Sequence, residues 1–169
     1  GEYRRGDFRT DFADAVDGMA RVEFPLPWRG PQQASVATPG TWVVDAPLHQ
    51  RRRLTAHESG YLKEHASALF KVTIPSAGFM GSRCYRAGVT DPHYPNMVDL
   101  VQAMSAIVRN EVIALSDEGV PYIQLDAPGY TAFVDESQRR QLSEAGLDPD
   151  SVFAQIVDAD YASIQGLSR

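Results

Sequence analysis

The 169-residue sequence is poor in the features that mark several protein classes. It has one cysteine, Cys84, which excludes an intrachain disulfide framework and any Cys-x-x-Cys metal knuckle. It lacks an apolar run of about 18 residues, the length a membrane-spanning helix needs. The opening residues Gly1-Glu2-Tyr3-Arg4-Arg5 lead into Asp and Arg rather than an apolar signal core, so a soluble, cytoplasmic protein with no membrane partner is expected. It also lacks a basic excess: 16 Lys and Arg stand against 22 Asp and Glu, a net charge of −6, which argues against nucleic acid as a partner. The four histidines, His49, His57, His65 and His93, show neither His-x-His nor His-x-x-x-His spacing, and no zinc site is legible within the chain.

What is present is an ordinary folded composition, 43% hydrophobic and 22% charged, in a length suited to one domain over residues 1–169. Phe8, Phe12 and Val16 recur at helical spacing and predict a helix over about 9–18, closed near Gly18. Four prolines, one glycine and Trp28 make 25–39 a loop. Trp42-Val43-Val44 reads as a short strand, and Arg51-Arg52-Arg53 as a solvated loop ahead of a helix. That helix is expected to start with a Thr55-x-x-Glu58 capping box and run to about Ala66.

Leu69 to Ile74 is β-rich and stops at Pro75, with Ser76-Ala77-Gly78-Phe79 opening a long irregular stretch over 75–95. Asn96 is placed to cap a helix over 96–118 whose stripe runs from Met97 through Met104, Val108 and Val112 to Leu115, with Gly119 as its stop. Tyr122 to Leu125 reads as a buried strand ending at Asp126. A last helix begins at Asp148-Pro149 and carries Val152, Phe153, Ile156, Val157, Tyr161 and Ile164. This alternation is that of βα units, which require a parallel sheet, so strands 70–74 and 122–126 are expected to lie parallel with helix 96–118 outside them. A complete eightfold barrel takes about 250 residues, so the chain would hold part of one.

Asp126 is the most informative residue, because the carboxyl end of a parallel strand is where α/β folds bind ligands. Its position alone fits equally a turn aspartate bonded to local amides. Cys84 reads as a small buried thiol.

Three stretches carry a resemblance: Gly1-Glu2-Tyr3-Arg4-Arg5-Gly6-Asp7-Phe8, the strand Lys71-Val72-Thr73-Ile74-Pro75, and Arg109-Asn110-Glu111-Val112 through Gly119 to Tyr122-Ile123-Gln124-Leu125-Asp126. Together they resemble the catalytic domain of cobalamin-independent methionine synthase, with the closer likeness to the short bacterial methionine-synthase-like proteins. The resemblance implies an α/β fold that is part of a TIM-type (β/α)8 barrel, about half of it in this chain. The implied enzyme is a zinc-dependent methyltransferase passing a methyl group from a folate-like donor to the thiol of homocysteine. It further implies that Glu2 and Asp126 bind the ammonium group of the amino-acid thiol substrate, facing one cavity.

The family's zinc ligands begin with a His-x-Cys strand and would lie beyond Arg169, so the isolated chain is expected to be inactive. A missing barrel half, a companion chain or a homo-oligomer is the expected partner. Two departures stand out. Ala127 occupies the place of a second carboxylate, and the tryptophan used in folate stacking has no match near 79–86. Other readings are a related zinc-thiolate alkyl transferase using coenzyme M or a corrinoid methyl donor, and a non-catalytic half-barrel that serves in assembly.

Overall fold

The longest apolar stripe in the sequence becomes the longest helix. A computed structural model describes residues 9–22 and 41–167. Glu2 and the proline-rich stretch 25–39 lie outside the described residues. The elements run α1 (Thr10–Ala15), β1 (Val16–Val22), β2 (Thr41–Gln50), α2 (Ala56–His65), β3 (Lys71–Pro75), α3 (Ala77–Cys84), α4 (Met97–Asp117), β4 (Tyr122–Asp126), a 3-10 helix (Pro128–Phe133), α5 (Glu136–Glu144) and α6 (Pro149–Ala162).

Helix α4 has the ends its sequence predicts. The Asn96 side chain accepts from the Asp99 amide at 3.0 Å, satisfying one of the orphan donors of the first turn. At the other end Gly119 adopts φ +75°. The amide of Gly119 then reaches Ser116 O at 2.9 Å, and that of Val120 reaches Leu115 O at 3.0 Å. This is the paired closure of a Schellman turn, with buried Val120 and Leu115 beside it.

Strands β3 and β4 pair in parallel, Lys71 opposite Tyr122 through Pro75 opposite Asp126, as the alternation of elements requires. Alternation along β3 sends Val72 and Ile74 into one core with Leu100, Met104 and Val108 of α4. The opposite face of the pair carries Lys71, Thr73, Gln124 and Asp126 beside Tyr122 and Pro75. There Lys71 Nζ donates to Gln124 Oε1 at 2.8 Å. On its far side α4 offers Val101 to a second cluster with Val152, Ile156 and Ala159 of α6.

Several expectations are corrected. Strand β4 is half-buried rather than buried, with Tyr122 59% exposed, because among the described residues β3 alone flanks it. The strand at Trp42 does not join the parallel sheet. It is part of β2, whose ladder bonds go to β1 in an antiparallel two-stranded sheet. The described strands therefore form two separate pairs and no closed sheet. The first helix ends at Ala15, and Gly18 (φ +89°) sits at a bulge inside β1, where a Cβ would stand 2.5 Å from Pro47 O.

The stretch 75–95 is not one irregular piece, because Ser76 caps α3 with its hydroxyl, accepting from the Phe79 amide at 3.1 Å. The rest of that stretch is fastened to β2. Thr90 Oγ1 donates to Val44 O at 2.7 Å, and the Leu48 amide donates to the Tyr94 hydroxyl at 2.8 Å. On the last helix Val152 and Ile156 are buried as expected, whereas Tyr161 and Ile164 are exposed. Helix α5 is polar except for Leu142 and carried no apolar stripe to announce it.

The capping box at Thr55 is replaced by a longer-range arrangement around Glu111 of α4, which is 0% exposed. Its carboxylate accepts from Arg53 Nε (2.9 Å) and Nη2 (3.0 Å), the amides of Leu54 (2.8 Å) and Thr55 (3.1 Å), and Thr55 Oγ1 (2.7 Å). Thr55 thus spends its hydroxyl on α4 and leaves its own helix start uncapped by a side chain. Arg53 also pairs with Glu118, which accepts from Ser59 Oγ at 2.8 Å. Of the arginine run, Arg51, paired with Asp17 at 2.8 Å, and Arg52 are exposed in a loop ahead of α2 as expected, whereas Arg53 is half-buried and reaches Glu111 in the interior.

Burial opposes the charge on Glu111, but Arg53, the Thr55 hydroxyl and the Leu54 amide outweigh it and hold the carboxyl below its ordinary 4.5. The hydrogen bond from Arg53, ahead of a smaller opposing burial effect, lowers Glu118 as well. Both groups are depressed on folding, so their contribution is fully present above the unfolded value of 4.5 and is lost as pH falls through their folded values. Urea unfolding should show a midpoint that is flat from neutral pH down to about 5 and then declines. Glu111→Ala, which leaves Arg53 and two amides without their acceptor, should cost about 3–5 kcal/mol at neutral pH and remove most of that decline.

Candidate functional site

The carboxyl ends of β3 and β4 lie side by side, with Pro75 and Asp126 as ladder partners. One further bond extends the pairing past β3, from the Ser76 amide to Asp126 O at 2.9 Å. The chain then turns in opposite styles. After β3 the buried Ser76 opens α3 directly. After β4, Ala127 leads into the 3-10 helix, whose Pro128 sets its first position.

Asp126 is half-buried at this edge. Its backbone carbonyl is used by Ser76, but among the described residues its carboxylate makes no hydrogen bond or ion pair. The alternative of a turn aspartate bonded to local amides is therefore not what the chain adopts. Glu2, its expected companion, lies outside the described residues.

Two features of the site had no signal in the sequence. The first is Asp160 of α6, 7% exposed. Its Oδ1 accepts from the Gly78 amide at 2.8 Å and its Oδ2 from the Tyr130 hydroxyl at 2.8 Å. The second is Tyr130 itself, whose ring also stands edge-on to Phe153 at 5.3 Å. Burial, and then the hydrogen bond to Asp160, push the Tyr130 phenol well above its ordinary value, so it stays a neutral donor at physiological pH. Both contacts span too many residues for local pattern to reveal them.

No metal centre forms among the described residues, where no group of three or more His, Cys, Asp or Glu side chains converges. Cys84 is buried in the main core, and all four histidines are exposed and apart. No helix among the described residues is long and apolar enough to cross a membrane.

Comparison with known proteins places this arrangement in context. No family model matches the sequence. The curated relatives include the uncharacterised proteins YxjH and YxjG of Bacillus subtilis (strain 168). YxjH is 28% identical over 165 residues, covering 94% of this chain and 42% of the relative. YxjG is 28% identical over 155 residues, covering 90% of this chain and 39% of the relative. The chain therefore spans about four tenths of the length of the curated relatives it matches.

Among solved structures it is similar to a B12-independent methionine synthase from Shewanella sp. W3-18-1, determined in complex with selenomethionine. The TM-score is 0.67 at 19% identity, over 99% of this chain and 42% of that one. At that identity the likeness establishes the fold: mixed α/β, shared with part of a larger enzyme.

A carboxylate that holds no partner supports little of the fold. Asp126→Asn should therefore shift the unfolding free energy by no more than about 0.5 kcal/mol, measured by urea denaturation. A loss of several times that would show that Asp126 is a structural residue.

Proposed function

We propose that this chain is part of a methyltransferase of the methionine-synthase type, in which Asp126 binds the ammonium group of an amino-acid thiol, homocysteine in this reading. The observation that carries the proposal is a carboxylate at the carboxyl end of a parallel strand pair that has no partner among the described residues. The shared fold with a B12-independent methionine synthase supports it. In such a fold the strand ends line the ligand site, and a carboxylate left without protein donors there is available to a cation.

The chemistry asked of these residues is recognition. An ammonium group donates charge-assisted hydrogen bonds to Asp126, which favours an amino acid over a neutral thiol. Glu2 is proposed as the second carboxylate, so that the ammonium is held from two sides and the sulfur is presented in one orientation. The transfer then forms a bond from the deprotonated sulfur to the methyl carbon and breaks the methyl group's bond to the donor, which leaves with the electron pair and takes up the proton that the thiol released. Ala127 offers no charge next to Asp126, so recognition of the donor, folate-like in this proposal, does not fall to that position.

The described residues do not fit zinc. A buried Cys84 and four dispersed, exposed histidines supply no converging donor set, so in this reading any thiol-activating metal has its ligands elsewhere. The same reading places the chain as about half of a barrel. The free edges of β3 and β4 would then pair with strands from further sequence, a companion chain or a second copy. A non-catalytic role in assembly is favoured by the same absent donor set, and the two readings differ in what they ask of Asp126.

Titration calorimetry with L-homocysteine on the assembled protein separates them. Asp126→Asn should weaken binding by about 1.5–3 kcal/mol, the worth of a hydrogen bond to a charged group, at unchanged zinc content. Unaltered affinity would remove the methyltransferase reading and leave the assembly role.

A further inference from the structure

We infer that Asp160 is the positioning residue of the strand-end site, tying the segment after β3 and the segment after β4 to one helix so that they hold a fixed separation. Gly78 lies three residues past the end of β3, and Tyr130 four residues past the end of β4. Each gives its hydrogen to a different oxygen of the same buried carboxylate, both at 2.8 Å. A Cβ on Gly78 would stand 2.3 Å from Ile156 Cγ2 and 2.9 Å from Asp160 Oδ2, so the backbone reaches the carboxylate only because residue 78 is glycine.

A carboxylate suits this place better than an amide would. Both of its oxygens accept, whereas an asparagine would turn an NH2 group toward one of the two donors. Hydrogen bonds to a charged acceptor are about twice as strong as neutral ones, and low exposure spares them competition from water. On the Tyr130 side the grip is doubled by Phe153, which sits on the same helix and packs against both Tyr130 and Phe133.

The consequence is geometric. Ser76 and Asp126 are joined directly by one backbone hydrogen bond. The segments that follow them are joined again through Asp160, closing a loop of contacts around the strand ends. Freed from Asp160, the 3-10 helix, none of whose residues is fully buried, would keep the packing of Tyr130 and Phe133 against α6 but lose its hydrogen bond to that helix. Asp126, four residues upstream, keeps its ladder place and its Ser76 bond, so what the tie fixes is the wall of the site beside its carboxylate. The ligand-binding consequence rests on the reading of Asp126 as the ammonium ligand, whereas the tie itself does not.

Amide hydrogen exchange on the ligand-free full chain tests the tie. Tyr130→Phe removes one hydroxyl and keeps the ring packing, so the fold is retained. Exchange should nevertheless rise at least about tenfold over residues 77–80, on a different element, as well as over 127–133. Adding Tyr130→Phe to Asp160→Asn should add little more, because both remove the same link. Faster exchange confined to 127–133, or fully additive effects, would overturn the inference.

Calorimetry on the same variants tests the positioning role. Tyr130→Phe should reduce the preference for L-homocysteine over the same thiol acid lacking its amine by about tenfold. An unchanged preference alongside faster exchange would reduce Asp160 to a structural tie and overturn its role at the site. A wild-type protein with no such preference would instead count against the ammonium reading of Asp126, and the exchange result would still decide the tie.

Discussion

The buried carboxylate of Glu111 is the constraint on which the arrangement of helices depends. An apolar stripe such as that of α4 specifies which face turns inward but tolerates small slides along its axis. A fully buried charge tolerates almost none, because each lost donor leaves a desolvated oxygen. Glu111 collects five hydrogen bonds from Arg53, Leu54 and Thr55, and so fixes where the end of β2 and the start of α2 meet α4. With that register set, the two apolar flanks of α4 settle on β3 and on α6 together.

The same chain shows three carboxylates in two conditions, and the contrast sorts their roles. Glu111 and Asp160 are buried with both oxygens occupied, which is what a structural carboxylate requires. Asp126 is half-buried, sits at a strand end, and has neither oxygen taken by a described residue. Burial without saturation is costly, and part of that cost is relieved here by access to solvent. A group in that condition is the one a ligand cation can engage without first breaking a protein contact.

What the sequence revealed and what it hid divide along chain separation. Helix α4, its Asn96 cap, its Gly119 stop, strands β3 and β4, and their parallel pairing were all legible, since periodicity and end signals act within a few residues. The uses of Arg53, Thr55 and Asp160 were not. Arg53 meets Glu111 across 58 positions, and Gly78 meets Asp160 across 82. Thr55 shows the competition plainly: its local pattern with Glu58 fits a capping box, yet Glu111 offers the hydroxyl a charged acceptor in a buried setting, which is the stronger bond. Helix α3 was hidden for a related reason. Its glycines and short length give a weak helical signal, and its burial between α4 and α6 is what stabilises it. Of the candidate site, Asp126 was visible from its place at a strand end, while the groups that brace its surroundings were not.

Burial pattern also explains how the strand pair can stand with one face only partly covered. Val72 and Ile74 put their side chains under α4, so the hydrophobic gain of forming the pair lies on the helix side. The other face carries Thr73 and the hydrogen-bonded Lys71 and Gln124, and ends at Asp126. Such a face loses little in water, unlike the apolar second face usual in parallel sheets. It is also the face whose terminal carboxylate has no partner among the described residues. The chain thus separates its two tasks by the pleat: alternate residues toward the helices hold the fold, and those between them keep a polar surface on which a charged ligand can be received without exposing the core.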